Sequence, residues 1–203
     1  MPSSTSWREK LNLKPDTIVI GSVGRLNYSK GMDVLIKAYQ QVAPINSVLV
    51  IAGEGPHRAK LEKLCAGDTR IHLLGHQADV RSVLSSINLF VSASREETFG
   101  LAIIEAMQQG LPVIASATEG PSQLLSSHPI PLLPPGEVEP LAQALKAWLQ
   151  RHIQTKPQQI NYDLRDFLPT LALQRMDGLY LDALAVNQAS TRSRRSDATC
   201  PLQ

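Results

Sequence analysis

A chain of 203 residues, 43% of them hydrophobic and 19% charged, has material for one sizeable core and leaves little room for two full domains. A net charge of +2 gives no case for nucleic acid as the main partner, because duplex binding draws on a concentrated basic face. No apolar run approaches the roughly 18 residues of a membrane span, and the opening MPSSTSWREKLNLKPD lacks an apolar core of signal-peptide length.

Short apolar runs alternate with amphipathic stretches. Thr17 to Val23 reads as a buried strand, followed by a Gly-containing loop and a helix over Met32 to Val42. Ser47 to Ala52 is a second strand, then Gly53-Glu54-Gly55-Pro56 and a helix from about His57 to Cys65. Ile71 to Leu74 is a third, with a helix from about Asp79 to Ser85. Asn88 to Ser92 is a fourth, followed by a helix opening at Phe99-Gly100. Pro112 to Ala115 is a fifth and Ile130 to Leu133 a weak sixth, before a helix from about Val138 to Arg151. Strands of near-continuous apolar character, each followed by a helix, predict βαβ units: an α/β fold with a doubly wound parallel sheet over residues 1–151. Such sheets bind ligands at the carboxyl ends of their strands, here the loops that start near Gly24, Gly53, Ala93 and Ser116. Residues 152–186 read as a polar linker and an amphipathic terminal helix, and 187–203 as a disordered tail. Cys65 and Cys200 lie far apart and offer no disulfide framework, so a cytoplasmic location is expected.

Two segments could carry chemistry. Gly24-Arg25-Leu26-Asn27-Tyr28-Ser29-Lys30-Gly31 leaves a strand and enters a helix, so Arg25 and Lys30 could converge on a phosphate group beside a helix N-terminus. The same octapeptide also reads as a solvated turn with two exposed cations. The second segment is Ser94 to Ser116, where Glu97 and Glu105 stand eight positions apart. At 100° per residue, Leu101, Glu105, Gln108 and Gln109 share one sector of the helix, and Ile103, Ile104, Ala106 and Met107 fill the rest. Glu105 is therefore either on a polar stripe facing water or on one facing a ligand crevice, where a carboxylate accepts hydrogen bonds from a ribose diol. Glu97 could grip a second polyol, and the free N–H groups of Gly100 and Leu101 would face phosphate oxygens between the two acids.

The run Glu97-Thr-Phe-Gly-Leu-Ala-Ile-Ile-Glu105-Ala-Met resembles the carboxylate-pair motif of the retaining family-4 glycosyltransferases. Val23-Gly-Arg-Leu with Lys30-Gly31, Ile51-Ala-Gly-Glu-Gly-Pro56 and Leu73-Leu-Gly-His76 come in the order that family's carboxy-terminal domain shows. The resemblance spans roughly residues 10 to 150 and implies a GT-B fold, whose second Rossmann-like domain binds a UDP-, GDP- or ADP-linked sugar. It assigns Arg25 and Lys30 to the donor diphosphate, where the reading of the helix end already puts the Gly100 and Leu101 amides, Glu105 to the ribose, and Glu97 to the transferred sugar as the catalytic-site carboxylate. It implies no cofactor and no metal, and a glycan or lipid acceptor held by an amino-terminal domain that these residues do not supply. The loop Ser116 to Gln123 departs from the pattern, because many relatives carry Gly-Gly and a Glu at the positions of Glu119-Gly120 and Gln123. No site residue is assigned there.

Other chemistries find little support. His57, His72, His76, His128 and His152 make no metal-ligand spacing. No Asp-x-Asp pair follows a strand to hold a metal–diphosphate, and Gly-x-Ser-x-Gly is absent. The first strand runs into Gly-Arg-Leu-Asn, without the three-glycine fingerprint of nicotinamide enzymes. Arg192, Arg194 and Arg195 read as part of a flexible tail, with peripheral contact to a membrane surface as the alternative. Beside the enzyme stands one competing function, a non-catalytic nucleotide-binding subunit that acts only with a partner chain.

Overall fold

The structure, a computed structural model, describes residues 6–42, 45–152 and 159–164. The chain divides at Asp163, and the unit described here ends at Tyr162. Apart from Asp163 and Leu164, the expected terminal helix and tail lie outside the described residues.

Six parallel strands, β1 (Ile18–Val23), β2 (Ser47–Ala52), β3 (Ile71–Gly75), β4 (Leu89–Ser92), β5 (Val113–Ser116) and β6 (Leu132–Leu133), form one sheet in the order β3-β2-β1-β4-β5-β6. The helices are α1 (Trp7–Lys10), α2 (Met32–Val42), α3 (Arg58–Cys65), α4 (Val80–Leu84), α5 (Leu101–Gln108), α6 (Glu119–Leu124) and α7 (Val138–His152). The chain first winds outward from β1 to β3, then returns to β4 on the other side of β1 and winds outward again. Right-handed crossovers in opposite directions put helices on opposite faces. On one face α2 packs on α3 and α7; on the other α4 and α5 pack together and against β1, β4 and β5.

Side chains alternate along the strands to serve both layers. Ile20, Leu49, Ile51, Leu89 and Val91 join Leu35, Ile36, Leu61, Leu145 and Leu149 in the core beneath α2, α3 and α7. Val19, Phe90, Ile103 and Met107 are buried outside that cluster. Each such fully buried side chain contributes about 1.5–3 kcal/mol. Tyr39, wholly buried in α2, satisfies its hydroxyl on the Ser47 carbonyl at 2.8 Å.

Two helices were not foreseen. α1 is a single turn closed by a capping box between Ser6 and Glu9. α6 contains Gly120 and Pro121, residues that usually argue against helix. Pro121 stands third in the helix, where a backbone N–H has no intrahelical partner to lose. After α7 the chain returns to the α5–β5 turn: the Ile160 amide donates to the Gly110 carbonyl and the Tyr162 hydroxyl to that of Leu111.

Candidate functional site

The strand order reverses between β1 and β4, so the loops leaving their carboxyl ends flank the crevice where open α/β sheets take ligands. The β1 loop is shaped locally. The Asn27 side-chain oxygen accepts from the Ser29 hydroxyl at 3.0 Å and the Lys30 amide at 3.1 Å, an arrangement short polar residues make readily in turns. Gly31 then turns at φ 61°, and a Cβ there would stand 1.9 Å from the Ala93 carbonyl oxygen. Only glycine lets the β1 loop lie this close to the β4 loop.

Across that contact the Lys30 ammonium meets the Glu97 carboxylate, in an ion pair whose side chains are 28% and 15% exposed. Two of the expected site residues, one from each flank of the crevice, are thus brought together. Arg25 is exposed, without a side-chain partner among the described residues. It lines a cavity of about 300 Å³ with Gly24, Gly53, Glu54, His76 and Gln77, at the carboxyl ends of β1, β2 and β3. Gly53, at φ 146°, closes the floor of this region, since a Cβ would come within 1.9 Å of the Gly24 carbonyl oxygen. A larger hollow of about 590 Å³ lies at the amino ends of β5 and β6, beside Trp148 and Tyr162, and gathers none of the expected residues.

Gly100 caps α5 at φ 92°, with no side-chain capping hydrogen bond. The amides of Ile103 and Ile104 turn onto the Gly100 carbonyl, which leaves those of Leu101 and Ala102 at the open N-terminus. Glu105 is exposed on α5 together with Leu101 and Gln108, opposite the buried Ile103, Ile104, Ala106 and Met107. The stripe foreseen from the helical period is there, and the Glu105 carboxylate has no protein partner among the described residues.

Two contributors were missed. The first turn of α6, in a segment where no site residue was assigned, holds the Glu97 segment: the Gly120 amide donates to the Glu97 carbonyl at 2.9 Å. A Cβ on Gly120 would stand 2.5 Å from the Phe99 nitrogen, so glycine is required for this approach. Arg95 is the second. Its guanidinium grips Asp33 with two hydrogen bonds of 2.8 and 3.0 Å and stacks 4.4 Å from the centre of the Tyr28 ring. The hydrogen bond from Arg95 holds the Asp33 carboxyl below the usual carboxylate range. The signal for Gly120 was its place just past the carboxyl end of β5; nothing local in the sequence pairs Arg95 with Asp33. Among the described residues no group of three or more His, Cys, Asp or Glu side chains could hold a metal ion. No described helix is long and apolar enough to cross a membrane.

Known proteins share this architecture. A glycosyltransferase from Rickettsia africae superposes with a TM-score of 0.76 at 21% identity, over 87% of this chain and 50% of that one. HepE of Anabaena, solved with UDP and glucose, gives 0.70 at 24% identity over 85% and 50%. The C-terminal domain of the group 1 glycosyl transferase LpcC from Francisella tularensis gives 0.63 at 25% identity and is itself 92% covered, against 80% of this chain. In sequence, the lipopolysaccharide core biosynthesis glycosyltransferase LpsE of Rhizobium meliloti is 34% identical over 117 residues, 56% of this chain and 34% of that protein. The chain thus spans about a third of the length of this curated relative. The sheet order, the crevice loops and these likenesses agree with a profile match over residues 3–165: the chain belongs to the glycosyl transferases group 1 family, with the Rossmann-like fold of a GT-B carboxy-terminal domain.

Proposed function

We propose that this chain is the donor-binding domain of a retaining glycosyltransferase, which takes a sugar from a nucleotide diphosphate and passes it to a glycan or lipid acceptor. The observation that carries the reading is the Lys30–Glu97 pair bridging the crevice where the strand order reverses. A cation held there by a carboxylate is ready to exchange that partner for a diphosphate, and Arg25 offers a second, unengaged cation on the same loop. The open α5 N-terminus adds the amides of Gly100 and Leu101. Glu105 accepts from the ribose, and Glu97, released from Lys30, faces the transferred sugar.

Cations and helix amides here take the place of a metal, so donor binding is independent of divalent ions. The family relatives support a nucleotide-linked donor: one is a GDP-mannose-dependent mannosyltransferase of Mycobacterium tuberculosis, and HepE was solved with UDP. The acceptor site belongs to residues beyond this unit, and the enzyme works in the cytoplasm, at the inner face of a membrane when its acceptor is a lipid.

Calorimetry with UDP, GDP and ADP tests the donor role. Loss of one charge-assisted phosphate contact is worth about 1.5–3 kcal/mol, so Lys30→Ala and Arg25→Ala should each weaken the preferred nucleotide by roughly 10- to 100-fold. Binding of the matching nucleoside, which has no phosphate, should change little. Equal affinity of wild type and both variants for all three diphosphates rules the assignment out.

A further inference from the structure

Residues 95 and 96 are fastened to residues 28 to 33 by both backbone and side-chain bonds. The Arg95 amide donates to the Ser29 carbonyl at 2.7 Å, and the Glu96 amide donates to the same oxygen at 3.2 Å. The Arg95 guanidinium donates to the Tyr28 carbonyl at 3.1 Å and takes both carboxylate oxygens of Asp33. It also packs beside Gly136, in the turn between β6 and α7, where an added Cβ would stand 3.4 Å from Arg95 Cγ. The Arg95 and Asp33 side chains are only 18% and 11% exposed, so this is an inward-facing pair. Asp33 lies in the first turn of α2, and its burial gives the acid a strong need for one particular partner.

Lys30 and Glu97 sit inside this frame. Lys30 lies between Ser29 and Gly31, both held against the β4 loop; Glu97 follows Glu96 directly, and its own carbonyl is held by Gly120. Neither charged side chain belongs to the frame, yet the backbone positions of both are fixed by it.

We infer that Arg95 is a positioning residue: by clamping Asp33 and Tyr28 it sets the β1 loop against the β4 loop, and so places Lys30 against Glu97. The inference rests on the nucleotide reading for its consequence in binding, but the placement itself is a property of the protein alone. Lysine cannot substitute, because a point charge lacks the planar fork that spans both Asp33 oxygens and a carbonyl at once.

Two readouts on the full chain separate positioning from bulk stability. Carbodiimide couples a carboxylate to an amine that touches it, so wild type should yield a Lys30–Glu97 amide detectable by peptide mass spectrometry. Arg95→Lys should cut that yield at least about fivefold while the protein is still folded by circular dichroism. The second readout is a double-mutant cycle on the affinity for whichever of UDP, GDP and ADP binds tightest. Arg95→Lys should weaken it about 10-fold alone and hardly at all in a Lys30→Ala background, because groups acting through one contact are non-additive. A purely structural role would instead lower the melting temperature in both backgrounds and give additive losses, and that result overturns the inference. An unchanged cross-link yield in folded Arg95→Lys also overturns it. Should that variant not fold, Asp33→Asn, which leaves the Arg95 bond to Tyr28, carries the same comparisons with the same expected directions. If wild type binds none of the three nucleotides, the nucleotide reading falls, while the cross-link comparison still decides the placement.

Discussion

Gly31 and Gly67 both sit at positive φ, at 61° and 88°, but their surroundings differ. Around Gly67 nothing lies within 4 Å of an added Cβ, so Gly67→Ala meets only the left-handed backbone penalty of about 1–2 kcal/mol. At Gly31 the same change drives a methyl group into the Ala93 carbonyl, 1.9 Å away, and must push the two crevice loops apart. We expect Gly31→Ala to destabilise by about 3 kcal/mol or more, and to weaken nucleotide binding in whatever fraction remains folded. Urea denaturation of the two variants side by side checks this; equal losses would mean that the loop contact carries no special energy. A glycine's neighbours are invisible in the sequence, which shows both simply as turn residues. Gly120 illustrates the same limit, since its contact with Thr98 and Phe99 is made by residues about twenty positions away.

At the level of elements, periodicity located every strand and every helix of two or more turns among the described residues, because burial on one face imposes a repeat that the chain itself displays. Met32–Val42 and Ser47–Ala52 stand where the pattern put them. The fold's ends were harder. α1 is too short to show a period, and its place comes from tertiary bonds. Arg8 donates to the Thr17 and Ser86 carbonyls at 2.9 Å each and to the Asn88 side chain, whose oxygen also accepts from the Val19 amide. One side chain thus ties α1 to the start of β1 and to the turn before β4. Arg8→Ala strands several partly buried acceptors, and about 2–3 kcal/mol of stability should be lost. The expected signature is a lower urea midpoint with an unchanged denaturant slope. A midpoint within error of wild type would show that α1 is merely laid on the surface.

For the molecule as a whole, shifted titratable groups limit stability on both sides of neutral pH. Burial holds the His72 imidazole below its ordinary 6.5, and the Arg95 hydrogen bond holds Asp33 below 3.8. A lowered value in the folded state means that the unfolded chain binds the proton first, so each group favours unfolding as pH falls past its ordinary value. Stability should be highest between about pH 6.5 and 9, decline below that window as His72 protonates in the unfolded chain, and decline again below about pH 4 as Asp33 does; above it the Cys65 thiol, pushed up to about 11 by burial, ionises first in the unfolded chain. His72→Gln should flatten the first decline and Asp33→Asn the second, as read from urea midpoints across that range. A wild-type midpoint that rises on acidification below about pH 6.5 would contradict both assignments.

What the sequence determined by itself is whatever is local in the chain. The alternation of strand and helix comes from neighbouring residues choosing one period, and the exposed stripe carrying Glu105 follows from helical geometry alone. Resemblance to a family added the expectation that Lys30 and Glu97 serve one ligand. Which side chains meet was left to tertiary structure. Lys30 and Glu97 are 67 positions apart and Asp33 and Arg95 are 62 apart. These pairs form because β4 returns to lie beside β1, and strand order is decided by how the whole core packs. Parallel strands align their carboxyl ends, so loops remote in sequence share one rim, and the contacts across that rim depend on strand neighbours that no local pattern encodes.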